Sequence, residues 1–264
     1  IPDPEGPTMQ NPKNRFKAAL ANGTHQLGIW NAIGGPSVVE MLAGAGFDWV
    51  LIDNEHAPID VTDVLPALQA IAAYPETSAI VRPASNDPVL IKRHLDQGAQ
   101  TLLIPYVQNV AEAEAAVAAM RYAPHGMRGV AGLTRATRFG RVADYTANAE
   151  AELCLIVQVE TAEALEQLEA IAQVDGVPGV FIGPADLAAS LGHPGELSHP
   201  EVVAAIEDAL TRLKAVGVPS GILTMDEEFV RRCRELGTGF TAVAVDMWAL
   251  KASVDGLMKT FGDS

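Results

Sequence analysis

From Gln26 to the C-terminus the chain repeats one unit, a short β-rich apolar run followed by a longer segment with helical periodicity. The runs are QLGIW ending at Trp30, DWVLID ending at Asp53, AIVRP around Arg82, TLLIP ending at Pro105, CLIVQVE ending at Glu160, GVFIG ending at Gly183, PSGIL ending at Leu223 and TAVAVD ending at Asp246. Runs that are apolar at nearly every position suit strands covered on both faces, as in parallel sheets. The segments between them, such as VTDVLPALQAIAAY and HPEVVAAIEDALTRLKAVG, are amphipathic at helix spacing. Several open on Asp, Thr or Pro and close on Gly, as helix ends favour. Eight such units without a break in composition predict an α/β chain folded as a single (β/α)8 barrel over residues 15–264. A dinucleotide-binding sheet would lack its signature here, since no G-x-G-x-x-G follows a strand. Residues 1–14, Pro-rich and polar, read as a flexible leader without the pattern of a secretory signal, which points to the cytoplasm.

Catalytic groups in such barrels sit at the carboxyl ends of the strands. Those ends supply Trp30, then Asp53 with Glu55 and His56, then Arg82, then Gln158 with Glu160, then Asp186 just past Gly183, and Leu223. Gln158 and Glu160 are two apart, so they share one face of their strand, and a polar face inside a barrel is costly unless something binds to it. Glu160 and Asp186 come from consecutive strand ends and suit a hard divalent ion such as Mg²⁺ or Mn²⁺. The metal is the favoured reading; the competing ones are an acid and base of a hydrolase, or helix caps, with Asp186 in particular suiting the N-cap of the helix that follows. Arg82 stands alone among arginines inside a strand run, where an anionic partner explains its burial; the partner is a substrate carboxylate or enolate, or else Asp53 or Glu55. His56 is placed for proton transfer or for a loop hydrogen bond.

The remaining composition narrows the chemistry. A net charge of −15 opposes binding to nucleic acid and to anionic membrane surfaces, and no apolar run is long enough to span a bilayer. None of the six lysines falls at a strand end, so a Schiff-base mechanism lacks its amine and carbon–carbon chemistry would need a metal. The glycine-rich turns of phosphate-binding barrels are missing after the seventh and eighth runs, so the expected substrate carries no phosphate. Cys154 and Cys233 have no pairing or zinc spacing and read as core filler. The long stretch from Ala123 to Asn148 holds Arg128, Arg135, Arg138 and Arg141. Either it is a lid that brings positive charge over the barrel mouth, or it is a solvated loop.

Taken together, EHAP at 55–58, VQVET at 157–161 and GPADL at 183–187, in this order and with VRP, IKR, RGV and HPEV between and after them, resemble the HpcH/HpaI-type class II aldolases. The resemblance runs from about Phe16 to the C-terminal helix. It implies metal-dependent, reversible aldol chemistry between a 2-oxo acid, pyruvate or hydroxypyruvate, and an aldehyde. It implies Glu160 and Asp186 as ligands of a divalent ion, Mg²⁺ or Mn²⁺ with Co²⁺ as a further option. Gln158 and the backbone at Ala185 would contact the 2-oxo acid, with Trp30 and Leu223 beside it. Arg82 would stabilise the enolate, and His56 would act as base, its basicity raised by Asp96. A homohexamer built as a trimer of dimers, with the C-terminal helix exchanged between subunits, is also implied. Related readings on the same site are a 2-dehydro-3-deoxyglucarate-type aldolase, a 2-oxo-acid decarboxylase, and a silent metabolite-binding barrel. Position 54 is Asn where many relatives carry Gly, which would place a donor and acceptor beside the site and favour a more polar nucleophile such as hydroxypyruvate or a smaller aldehyde.

Overall fold

The computed structural model describes residues 9–262. Its eight strands are β1 (Gln26–Asn31), β2 (Trp49–Asp53), β3 (Ser78–Arg82), β4 (Thr101–Ile104), β5 (Cys154–Val159), β6 (Gly179–Ile182), β7 (Ser220–Leu223) and β8 (Phe240–Val245). They pair in parallel, in sequence order, and β8 closes on β1, so the single barrel expected from the repeated units is the fold. The helices are α1 (Arg15–Ala21), α2 (Pro36–Gly44), α3 (Val61–Ile71), α4 (Pro88–Asp96), α5 (Val110–Met120), α6 (Tyr145–Asn148), α7 (Ala162–Glu166), α8 (Leu168–Ala172), α9 (Pro184–Ser190), α10 (Pro200–Ala215), α11 (Glu227–Leu236) and α12 (Asp246–Phe261). The segment read as one helix after β5 is two short ones, α7 and α8, which meet at Gln167.

Two cores result. Outside the barrel, the helix faces cover the outward residues of the strands, Val50, Ile52, Val81, Leu102, Val157 and Ile182 among them. Inside it, Trp30, Trp49, Phe181 and Phe240 pack edge-on or tilted with centroids 5.4–6.2 Å apart, and Phe16 of α1 plugs the base against Phe240 at 5.3 Å. Room for the Trp49 ring depends on Gly28, where a Cβ would lie 2.0 Å from the ring. Cys154 and Cys233 are buried and unpaired, as core filler should be.

The leader expectation covers residues 1–14; residues 1–8 lie outside those described. From Met9 onward the segment is tied to the base: Met9 N donates to Arg141 O at 2.8 Å, and the buried Asn14 caps α1 while its Nδ2 donates to Thr101 at 3.0 Å. No helix among the described residues is long and apolar enough to cross a membrane.

Candidate active site

The register of β2 and β3 sets Asp53 opposite Arg82, at the last position of both strands. The guanidinium closes on that carboxylate with two bonds, Nε to Oδ1 at 2.8 Å and Nη2 to Oδ2 at 2.6 Å, and Nη1 lies 2.8 Å from Glu55. Trp30 Nε1 donates to the same Asp53 at 3.3 Å, and its ring centroid is 5.2 Å from the Arg82 guanidinium carbon. The salt-bridge reading of Arg82 is the one observed: the pairs with Asp53 and Glu55 are made, and a guanidinium's five N–H groups leave it two more. Burial pushes the Asp53 carboxyl up, but Arg82 and the backbone N–H groups of Glu55 and His56 outweigh it and hold it below the usual range. Glu55 goes the other way, raised by burial despite Arg82 and His56, with Asp53 and Asp186 adding repulsion. His56 is the exposed member, its Nε2 3.7 Å from the Glu55 carboxylate.

Across the mouth stands the second acid group. Glu160, buried just past β5, accepts from Gln158 Nε2 and from the backbone N–H of Tyr106 at 2.8 Å. Tyr106 occupies the left-handed backbone region, φ 54°, and it is a participant that sequence reasoning missed, because a backbone donor leaves no side-chain signature. Burial pushes the Glu160 carboxyl up to about 7, and repulsion from Asp186 and Glu55 adds to the shift. Such a pair of acids is stabilised by a cation between them. The donors fit a divalent ion: Glu160 and Asp186 supply hard oxygens, and the buried Gln158 Oε1 has no hydrogen-bond partner. Gly183 opens the cradle, since a Cβ there would sit 2.4 Å from Glu160 Oε2. Asp186 lies in the first turn of α9, whose N-cap is Gly183, so the N-cap reading of Asp186 is set aside and its carboxylate is left for the cavity.

One cavity of about 300 Å³ collects Trp30, His56, Arg82, Gln158, Glu160, Ala185, Asp186 and Leu223. Asp96 is not among them. It is the last residue of α4, the helix that leaves the mouth after β3 and returns to the base, and its carboxylate accepts from Arg128 at 2.8 Å. Among the described residues no hydrogen bond or ion pair joins it to His56. The Arg-bearing stretch is not a lid over this chain's mouth, which corrects that reading: it links α5 to β5, and helix-to-strand connections lie at the base. Arg128 is wholly buried there, 4.5 Å from the Tyr122 ring centroid, and Arg135 binds the carbonyls of Gln97 and Leu68. Asn54 also differs from expectation. Its amide donates to Ile59 O at 2.6 Å, stapling the turn that carries Glu55 and His56 and not lining the cavity, and its φ is not positive.

Comparison with known proteins finds relatives over nearly the whole chain. The chain is 62% identical to a pyruvate aldolase of Rhizobium etli over 96% of its length and 99% of that protein's. It is 55% identical to a hydroxypyruvate/pyruvate aldolase of Sagittula stellata over 93% and 96%. The crystal structure of an HpcH/HpaI aldolase/citrate lyase family protein from Burkholderia cenocepacia superposes with a TM-score of 0.89 at 41% identity, covering 94% of this chain and 99% of that one. The family model for the HpcH/HpaI aldolase/citrate lyase family matches residues 26–252, and the chain belongs to that family as a class II aldolase, a carbon–carbon lyase.

Proposed function

We propose that this aldolase forms the enolate of pyruvate or hydroxypyruvate in the cavity between Glu160, Asp186 and Arg82, and adds it reversibly to an aldehyde to give a 4-hydroxy-2-oxo acid. The observation that carries the reading is the convergence, on one cavity, of the buried Glu160, the exposed Asp186 and a buried arginine with two N–H groups to spare. Glu160 and Asp186 would hold a divalent ion, Mg²⁺, Mn²⁺ or Co²⁺. When bound, that ion withdraws charge from the keto and carboxylate oxygens of the 2-oxo acid and acidifies its C3 proton. Arg82, held rigid by Asp53, Glu55 and Trp30, directs its remaining N–H groups at the oxygen on which negative charge develops, so little reorganisation is needed as the charge appears. His56 takes the C3 proton and, being exposed, exchanges it with water. Trp30 and Leu223 give the cavity apolar walls, and Gln158 with the backbone at Ala185 orients the 2-oxo acid. Among the described residues Arg82 is the only arginine or lysine lining the cavity, already shared by two carboxylates, which supports a substrate without phosphate.

Asp96 acting on His56 would require a second copy of the chain, which fits a homohexamer better than a monomer. Two unpaired cysteines fit a reducing cytoplasm. The test is exchange of the C3 protons of pyruvate and hydroxypyruvate in D₂O, followed by NMR with chelated enzyme and then with added Mg²⁺ or Mn²⁺. Metal-dependent exchange that is lost in Glu160→Ala is expected; exchange indifferent to metal and to that variant would refute the assignment. Trapping an aldol adduct separates aldolase from decarboxylase.

A further inference from the structure

The loop between α9 and α10 carries His193, Glu196 and His199 in the run HPGELSH, and none of the three belongs to the catalytic cavity. One ligand atom from each lies within 4.8 Å of the others. Two successive turns bring them together, with Glu196 N donating to His193 O at 3.0 Å and His199 N to Glu196 O at 2.9 Å. The imidazole rings stack with centroids 3.5 Å apart and planes 18° from parallel, which puts their nitrogens side by side. His193 Nε2 is also 2.9 Å from the Glu201 carboxylate. A carboxylate on one ring nitrogen is the arrangement that fixes a metal-binding histidine and presents its other nitrogen as the donor; here that donor is Nδ1.

We propose that His193, Glu196 and His199 form a second divalent-metal site, separate from Glu160 and Asp186, that takes Zn²⁺, Ni²⁺ or Cu²⁺ through two imidazole nitrogens and a carboxylate oxygen. Imidazole donors select such borderline ions over Mg²⁺, which prefers an all-oxygen shell. Metal–nitrogen bonds of about 2.0–2.1 Å place tetrahedral ligand atoms roughly 3.4 Å apart. The two half-buried rings and the exposed Glu196 rotate to close that gap, and water fills the remaining position. Two local effects oppose the ion. His199 is the N-cap of α10, its Nδ1 accepting from Glu201 N at 3.3 Å, and a helix N-terminus repels a cation. Against these stand the charges of Glu196 and Glu201, both beside the ion.

The experiment titrates Glu160→Ala/Asp186→Ala protein, which lacks the catalytic acids, with Ni²⁺ and Zn²⁺ by calorimetry and records the EPR spectrum of its Cu²⁺ form. The expected result is about one equivalent bound, nitrogen hyperfine structure in the Cu²⁺ spectrum, no competition by Mg²⁺, and weakening as acid protonates the ligands. Adding His193→Ala/His199→Ala should weaken Ni²⁺ binding by about 100-fold or more and remove the nitrogen signature. In the otherwise unchanged protein, that histidine pair alone should lower the Ni²⁺ stoichiometry by about one while Mg²⁺-dependent C3 exchange persists, so this site and the aldolase assignment are read separately. Ni²⁺ affinity and stoichiometry that do not respond to loss of the two histidines, in either background, would overturn the proposal.

Discussion

Arg82 is a structural residue, and the chemical role proposed for it rests on the same partner, Asp53. Asp53→Asn removes one charge of a buried, bidentate pair, and breaking such a pair from one side costs roughly 3–5 kcal/mol because the other charge is left poorly matched. Urea unfolding should show that loss, with enolate formation reduced as Arg82 loses its fixed orientation. His94 makes a second residue-scale prediction. Its ring is fully buried with neither nitrogen hydrogen-bonded, and burial, with Arg93 adding to it, pushes its pKa down to about 4. The folded value lies below the unfolded one, near 6.5, so as pH falls the unfolded chain takes up a proton first. The stability tied to neutral His94 is complete above about pH 6.5 and is lost as pH falls toward about 4, on the order of 3 kcal/mol in all. The urea midpoint of His94→Leu, followed across that window, should fall less steeply than that of the unsubstituted chain; parallel slopes would remove this account. Glu160, Asp186 and Arg82 were legible as candidates because ionisable groups at apolar strand ends need a reason to be there. The stacked ring of Trp30 on Arg82 and the Tyr106 N–H on Glu160 were not, since both depend on neighbours distant in sequence.

Among the elements, the junction of β8 and α12 holds the barrel closed. Asp246, buried in the first turn of α12, accepts from Asn31 Nδ2 at 2.7 Å, Ala32 N at 2.9 Å and Met247 N at 2.7 Å, joining the last strand's end to the first's. Asp246→Ala strands these donors, each worth about 1–3 kcal/mol when left unsatisfied in a buried place. A loss of about 2–4 kcal/mol in urea unfolding is therefore expected. The sequence showed Asp246 only as the end of an apolar run. Strand boundaries were otherwise readable to within a residue and helix boundaries to within about three, VTDVLPALQAIAAY running three past the end of α3, because period and caps are local. The connection from α5 to β5 was legible in length but not in place. Its position follows from counting elements: a segment after a helix and before a strand lies at the base, whatever charges it carries.

For the whole molecule, α12 is the feature that a single chain does not explain. From Met247 onward its described residues are exposed, Trp248 by 52%, Leu250 by 55% and Leu257 by 56%, and an apolar surface of this kind marks an interaction site. We expect Trp248→Glu/Leu257→Glu to shift the mass measured by light scattering from an oligomer to a smaller species, with the barrel's circular dichroism retained; an unchanged mass would assign α12 no part in assembly. The base loop and Asp96 face the same question, because within one chain they do not reach the mouth and only another copy can bring them to a site. The barrel, its eight units and the identities of the acid pair and the arginine were determined by the sequence itself, since apolar periodicity and strand-end polarity are properties of neighbouring residues. Which carboxylates hold Arg82, which backbone donor holds Glu160, and that Asp96 belongs to Arg128 were decided only by tertiary structure. Those pairings depend on barrel closure and strand register, which bring together residues far apart in the chain.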